Sequence, residues 1–208
     1  DNEYGIYVFG DEYEEWFPHF GANFWEDWER PIHFSFYNEE GNLVANYNAG
    51  VKIFGGWSRG QDQRSLSIFA RGRYGDSEFE YPFFPDVNYN TFQSLILRNS
   101  GNDWMRSNIR DISVTSLMEG SGIDYQRFNS VATYINSDYW GMYNLREKIS
   151  NHMLASKHNV DAEEIDLLDM SLQTVAQIVD GDNQEYIELT AFVDENNLSI
   201  QSNYEYVE

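Results

Sequence analysis

The sequence predicts an α+β fold in which an antiparallel, strand-rich part comes first and most of the helix later. Three observations carry that expectation. Apolar residues alternate with polar ones around turn sequences in the 30s and again in the 130s and 140s, as half-buried strands require. Gly- and Pro-bearing loops break up the region between them, and apart from one candidate helix after Asn108 the helical apolar spacing lies from Leu145 onward. Strands followed by helices, without regular βαβ alternation, point to α+β rather than to a parallel sheet.

Asp1 to Glu29 mixes acids with Tyr, Trp and Phe and shows neither periodicity, so residues 1–30 are expected to be an ordered arm anchored by its aromatics. Ile32, Phe34 and Phe36 then alternate up to the turn signal Asn38-Glu39-Glu40-Gly41-Asn42, which predicts a β-hairpin. Val51 to Phe54 continues as strand to Gly55-Gly56, and Ser65 to Arg71 is the next strand. Pro82 and Pro85 mark Tyr81 to Asn90 as loop, with Phe92 to Leu97 a short buried strand after it. Asn108 is a candidate cap for a helix that buries Ile109, Ile112 and Leu117. Val131 to Asn136 and Tyr139 to Asn144 flank Ser137-Asp138 as a second hairpin.

Leu145 to Lys157 reads as a helix through Ile149, Met153 and Leu154, and Leu172 to Val179 as a strand leading to Asp180-Gly181-Asp182. Tyr186, Leu189, Phe192 and Val193 mark an amphipathic helix, with a shorter one over Leu198 to Val207. The organisation expected is one domain over 1–208, with an arm (1–30), a strand-rich part (31–144) and a helix-rich part (145–208).

Composition narrows the partners. With 208 residues, 41% of them hydrophobic and 17% aromatic, the chain can bury one sizeable core. Thirty-five acids against 13 basic residues give a formal charge of −22, which repels nucleic acid and anionic lipid surfaces. There is no cysteine, hence no disulfide and no thiolate metal site. No apolar run reaches the roughly 20 residues that span a bilayer, and the chain opens at Asp1 as a processed terminus would.

Three blocks, in this order, resemble the CotH (spore coat protein H) kinase family: GGWSRGQDQRSLSIFARGRYG from Gly55 to Gly75, LILRNSGNDW with the later Arg110-Asp111, and YINSDYWGMYNLREKI from Tyr134 to Ile149. Each is long and unusual in composition, and weaker similarity runs over most of the chain. The resemblance implies an atypical protein kinase of the exported bacterial type: an extracytoplasmic, kinase-like fold that binds ATP with Mg²⁺ or Mn²⁺. It implies phosphoryl transfer to Ser or Thr of exported or coat proteins. The start of the chain would correspond to the nucleotide-clamping small lobe. The family's later aspartate-bearing blocks are not found after Leu198 to Tyr204, so the chain is expected to stop before the catalytic part of the large lobe and to be inactive alone.

Phosphoryl transfer needs cations on the phosphates, metal held by carboxylates and a carboxylate orienting the attacking hydroxyl. Gly55-Gly56-Trp57-Ser58-Arg59-Gly60 joins two strands, where backbone, Ser58 and Arg59 could approach an anion; an ordinary turn with a surface arginine is the plainer reading. By the resemblance Arg64, standing where the family usually has lysine, contacts phosphate, and Glu147 on a following helix pairs with it as the kinase clamp does. Arginine for lysine keeps the charge but changes size and shape, which leaves a pseudokinase in view. Helix N-terminal electrostatics is the plainer role for Glu147, and with the pair preferred, Arg146 and Lys148 become flanking charges, Lys148 the more solvated of the two. Arg98, Asp103, Arg110 and Asp111 are expected to form a polar network fixing a loop and a helix start, since Asn102-Asp103-Trp104 precedes the Tyr134–Ile149 block rather than following it.

Two other function classes stay open. The tryptophans, including Trp16, Trp57 and Trp140, could form a glycan platform, although aromatics more often serve a core. Acid clusters such as Asp11 to Glu15 and Glu26 to Glu29 could bind Ca²⁺, but they match no EF-hand spacing, and the four histidines have no metal-ligand spacing.

Overall fold

In the computed structural model, residues 3–85, 87–170 and 176–208 are described, and the chain divides into two compact units, 1–149 and 150–208. The first is built on a six-stranded antiparallel sheet in the order β1-β2-β3-β6-β8-β7. Its strands are β1 (Arg30–Tyr37), β2 (Leu43–Phe54), β3 (Ser65–Phe69), β6 (Ser94–Arg98), β7 (Phe128–Ile135) and β8 (Asp138–Glu147). The short strands β4 (Phe79–Glu80) and β5 (Thr91–Phe92) pair separately.

Both hairpins follow from the side-chain alternation. β1 and β2 pair from Arg30↔Val51 to Tyr37↔Leu43 across a turn closed by Asn38, whose side chain accepts from the Asn42 amide. The extended run expected at Val51 to Phe54 is the end of the 12-residue β2 and not a separate strand. β7 and β8 pair through Asn136 and Ser137, both at positive φ.

One sheet face carries Ile32, Phe34, Phe36, Val51, Ile53, Leu66, Ile68, Leu95, Leu97, Tyr143 and Leu145, and the aromatic layer Phe79, Phe83, Phe84 and Phe92 packs on this core. The arm enters the same core with Ala22 and Phe24 fully buried; burying the phenyl ring of Phe24 contributes on the order of 2–3 kcal/mol. The arm is ordered by backbone satisfaction as well. Asn23 donates to the carbonyls of Glu3 and Gly5, and Trp25 to that of Pro18. The opposite face buries Ser65, Ser67, Asn144, Arg146 and Ile96; Ser65, Asn144 and Arg146 bond to Asn99, Ser100 and Asp111 of the 99–116 segment, which includes α1 (Arg110–Ser116).

In α1 only Ile112 is buried; Ile109 and Leu117, expected on the inner face, are exposed. Asn108 does not cap this helix through its side chain. It sits at φ 58°, and its carbonyl accepts from Ser100 Oγ and Asn144 Nδ2.

The second unit contains α2 (Asn151–His158), β9 (Leu167–Asp169), β10 (Gln177–Asp180), α3 (Gln184–Glu195) and α4 (Gln201–Val207). Ser150 caps α2, its hydroxyl accepting from the Met153 amide, and Asn159 ends it in the left-handed region. α3 and α4 meet through Phe192 and Tyr206, ring centroids 4.2 Å apart. The strand expected over Leu172 to Val179 lies partly outside the described residues; its described end falls in β10. The helix expected from Leu145 begins at Asn151, because Leu145, Arg146 and Glu147 complete β8 by pairing with Leu97, Ile96 and Leu95.

Candidate functional site

The loop between β2 and β3 forms a 3-10 turn over Trp57–Gly60. Gly55 enters it at φ +114°, and a Cβ there would stand 2.6 Å from Ser58 Oγ, so the tuck of Ser58 under the loop requires glycine. Arg59 turns inward. Its Nε donates to the Gly55 carbonyl (2.6 Å), one terminal nitrogen reaches the carbonyls of Phe24 and Trp25, and its guanidinium lies 5.6 Å from the Trp25 ring.

Arg64 is buried more deeply. Its guanidinium lies 3.9 Å from the centre of the Phe24 ring and 4.7 Å from that of Tyr7, Nε donates to the Arg59 carbonyl (2.7 Å), and a terminal nitrogen approaches the Asp62 carbonyl at 3.5 Å. Burial lowers its pKa, yet an arginine stays charged in such a site, held by carbonyl dipoles and π faces in place of a carboxylate. Around it the Tyr7 hydroxyl accepts from the Arg64 amide and from Trp140 Nε1, and Tyr143 donates to the Arg64 carbonyl.

Glu147 corrects two expectations. It stands at the end of β8 and not on a helix, and the structure does not pair it with Arg64. Glu147 is in register with Leu95, which faces Ile68, while Arg64 precedes Ile68 by four residues. Four strand residues amount to roughly 13 Å along the strand, beyond ion-pair reach. Its carboxylate oxygens accept instead from the Tyr89 hydroxyl and the Arg127 amide (2.8 Å), and its carbonyl accepts from Gln126 Nε2. Burial first, then the bond to Glu147, pushes the Tyr89 phenol upward. Glu147 thus ties Tyr89 and the residue before β7 to the sheet.

The structure brings Arg98 and Asp111 together at 2.9 Å, and Asp103 and Arg110 at 3.5 Å. Asp103 also accepts from Ser107 Oγ and the Arg110 amide; the Ser107 bond leads in lowering its pKa. The first pair has a third member that sequence reasoning missed. Arg146 is not a flanking charge but a buried one, ion-paired with Asp111 Oδ2. Strand parity held the clue, since Asn144 and Arg146 share the face opposite Leu145. Asn99 was also missed: it accepts from Ser65 Oγ and the Gly101 amide and donates to Gln61 and to the Gln63 carbonyl.

The sheet curls so that its two edge strands, β1 and β7, line one cleft of about 1420 Å³, with Tyr7, Ile32, Phe34, Leu66, Ile68, Val131 and Leu145 among its walls. That exceeds the roughly 300–1,000 Å³ of ordinary small-molecule sites. Among the described residues no three Asp, Glu or His side chains gather into a group able to hold a metal ion. No helix among them is long and apolar enough to cross a membrane.

The family model described as CotH kinase protein matches residues 51–208, which takes in the Gly55 loop, Arg64, the Asp103–Asp111 network and Glu147. The chain belongs to the CotH kinase family. A search of curated proteins returned no match. Membership makes a kinase-like function the family-level reading of this site, with nucleotide, metal and protein substrate as its general requirements.

Proposed function

We propose that this chain supplies the nucleotide-binding part of an extracytoplasmic, CotH-type protein kinase that transfers the terminal phosphoryl group of ATP to Ser or Thr hydroxyls of exported or coat proteins. The observation that carries the reading is the family match over 51–208. The apolar cleft adds a place of sufficient size for a purine, bordered by the arm that holds Arg64. In this proposal Arg64 and Arg59 set the shape of the Ser58-bearing loop through the carbonyls they hold, and the loop faces the phosphates. Glu147 fixes the far end of β8 rather than clamping Arg64. The described residues bring no metal cage, so the Mg²⁺ or Mn²⁺ step is assigned to none of them.

The test is equilibrium binding of ATP with Mg²⁺ or Mn²⁺ to the chain, with thermal stabilisation as a second readout, because a ligand bound only by the folded state raises its stability. Saturable binding that Val131→Trp weakens about tenfold or more by filling the cleft is the expected result. Undiminished binding in that variant removes the cleft from the proposal, and no binding at all removes the nucleotide role of this chain. A pseudokinase is the second reading, favoured by the use of Arg64 donors on carbonyls. Nucleotide binding without phosphate transfer in a radiolabelled ATP assay would distinguish it.

A further inference from the structure

The sheet face opposite the cleft carries a cluster of cations that nothing above uses. Phe69 closes β3, with the Arg71 guanidinium 4.7 Å from its ring centre and the Lys148 ammonium 5.4 Å from it. The register explains the meeting: Phe69 faces Gly50 and Ser94, Lys148 follows Glu147, which pairs with Leu95, and Lys52 lies two residues beyond Gly50 on the same side. Lys52 donates to both oxygens of the exposed Asp27 at 2.9 Å, and Arg71 and Arg73 share Glu29. Four cations therefore stand against two carboxylates, an excess of two positive charges in a chain whose formal charge is −22. Among the described residues no carboxylate lies within ion-pair distance of Lys148. Burial first, and then Arg71 and Lys52, lower its pKa.

A half-buried ammonium that shares an aromatic ring with an arginine and has no carboxylate beside it is costly unless an anion completes the group. We propose that Lys148, Arg71 and Lys52 form a binding site for a phosphomonoester dianion, on the sheet face away from the cleft. With Arg73 neutralising part of Glu29, the charge excess of two matches a dianion better than a carboxylate. Arg71 supplies a planar donor fork and the two lysines supply point charges, a combination suited to a tetrahedral oxyanion. A phosphorylated side chain of a protein and free phosphate present the same group. The proposal does not depend on nucleotide binding, because the cleft and this cluster occupy opposite faces.

The experiment titrates the chain with inorganic phosphate, with a phosphoserine peptide and its unphosphorylated form, and with acetate at matched ionic strength, following the side-chain ¹³Cε shift of Lys148 and the melting temperature. Phosphate and phosphopeptide are expected to give saturable shifts that acetate and the plain peptide do not, weakening as salt rises. A tighter response to the phosphopeptide assigns the site to phosphoprotein, and a response to phosphate alone assigns it to the free anion. Lys148→Gln should weaken binding about tenfold or more, the loss of one charge-assisted contact, and Lys148→Arg should restore most of it. Without ligand, Lys148→Gln should melt no lower than the wild type, since it removes like-charge repulsion. Equal phosphate responses in wild type and Lys148→Gln, or no saturable response in the wild type, would overturn the assignment.

Discussion

Asp111 is the residue whose loss the structure prices most clearly. Its Oδ2 receives both Arg98 Nε and Arg146, and Arg146 is almost wholly buried with no partner for its own Nε. Asp111→Ala would leave that guanidinium only the distant Thr115 hydroxyl at 3.4 Å and the Gln126 carbonyl at 3.5 Å. Breaking a buried pair from one side costs about 3–5 kcal/mol. Arg98 and Asp111 are each about one-third exposed, with side-chain accessibilities of 32%, so water recovers part of that loss. We therefore expect the low end, about 3 kcal/mol. With a urea slope of about 2 kcal/mol per molar, the unfolding midpoint should fall by about 1.5 M. Tryptophan fluorescence is the suitable signal, because all six tryptophans lie in the 1–149 unit. A fall of less than about 0.3 M would refute the reasoning. The double variant Asp111→Leu/Arg146→Met should regain most of the lost stability, since an apolar pair removes the stranded charge.

Three further outcomes follow from the same geometry. Arg64→Ala should lower stability by about 3 kcal/mol through lost stacking and hydrogen bonds, seen as a melting temperature lower by roughly 6–12 °C, so a bare loss of nucleotide affinity in that variant would not identify a phosphate contact. Gly60→Ala should cost about 1–3 kcal/mol, because its Cβ would meet the Pro18 carbonyl oxygen at 2.7 Å and Pro18 Cα at 2.8 Å; an unchanged urea midpoint would show that the arm yields there. Burial alone would raise the Glu29 pKa, but the Arg73 and Arg71 guanidiniums outweigh it and hold the carboxyl below its usual value. Its contribution to stability is thus complete above the unfolded value of about 4.3 and lost as pH falls through the lower folded pKa, so Glu29→Gln should flatten the acid limb of a stability–pH profile.

Local pattern revealed the elements whose partners are local. Ile32, Phe34 and Phe36 with the Asn38–Asn42 turn specify one hairpin, and Val131 to Asn144 specify the other. Glu147 was misread as helical because Ile149, Met153 and Leu154 supply helical spacing just after it, while the contact that keeps it in a strand is Leu95, more than 50 positions away. Arg64 shows the same limit. In Gln-Arg-Ser-Leu-Ser nothing signals that Tyr7 and Phe24 will close over its guanidinium, because both partners lie 40 or more positions away. Arg146 was recoverable in principle, because extending the β8 alternation by two residues places it on the inner polar face beside Asn144.

The Tyr7 hydroxyl joins the Arg64 amide and the Trp140 indole, contacts separated from it by 57 and 133 positions. On a ribosome the arm emerges ahead of the strands it packs on, and its most distant anchor follows about 130 residues later. Phe24 and Trp25 meet Arg64 and Arg59 earlier, but the Tyr7–Trp140 contact has to wait for β8, and closing so long a loop is slow. The arm can therefore rest on the β2–β3 loop through Phe24 and Trp25, while Trp140 adds the latch that fixes Tyr7 from the other half of the sheet.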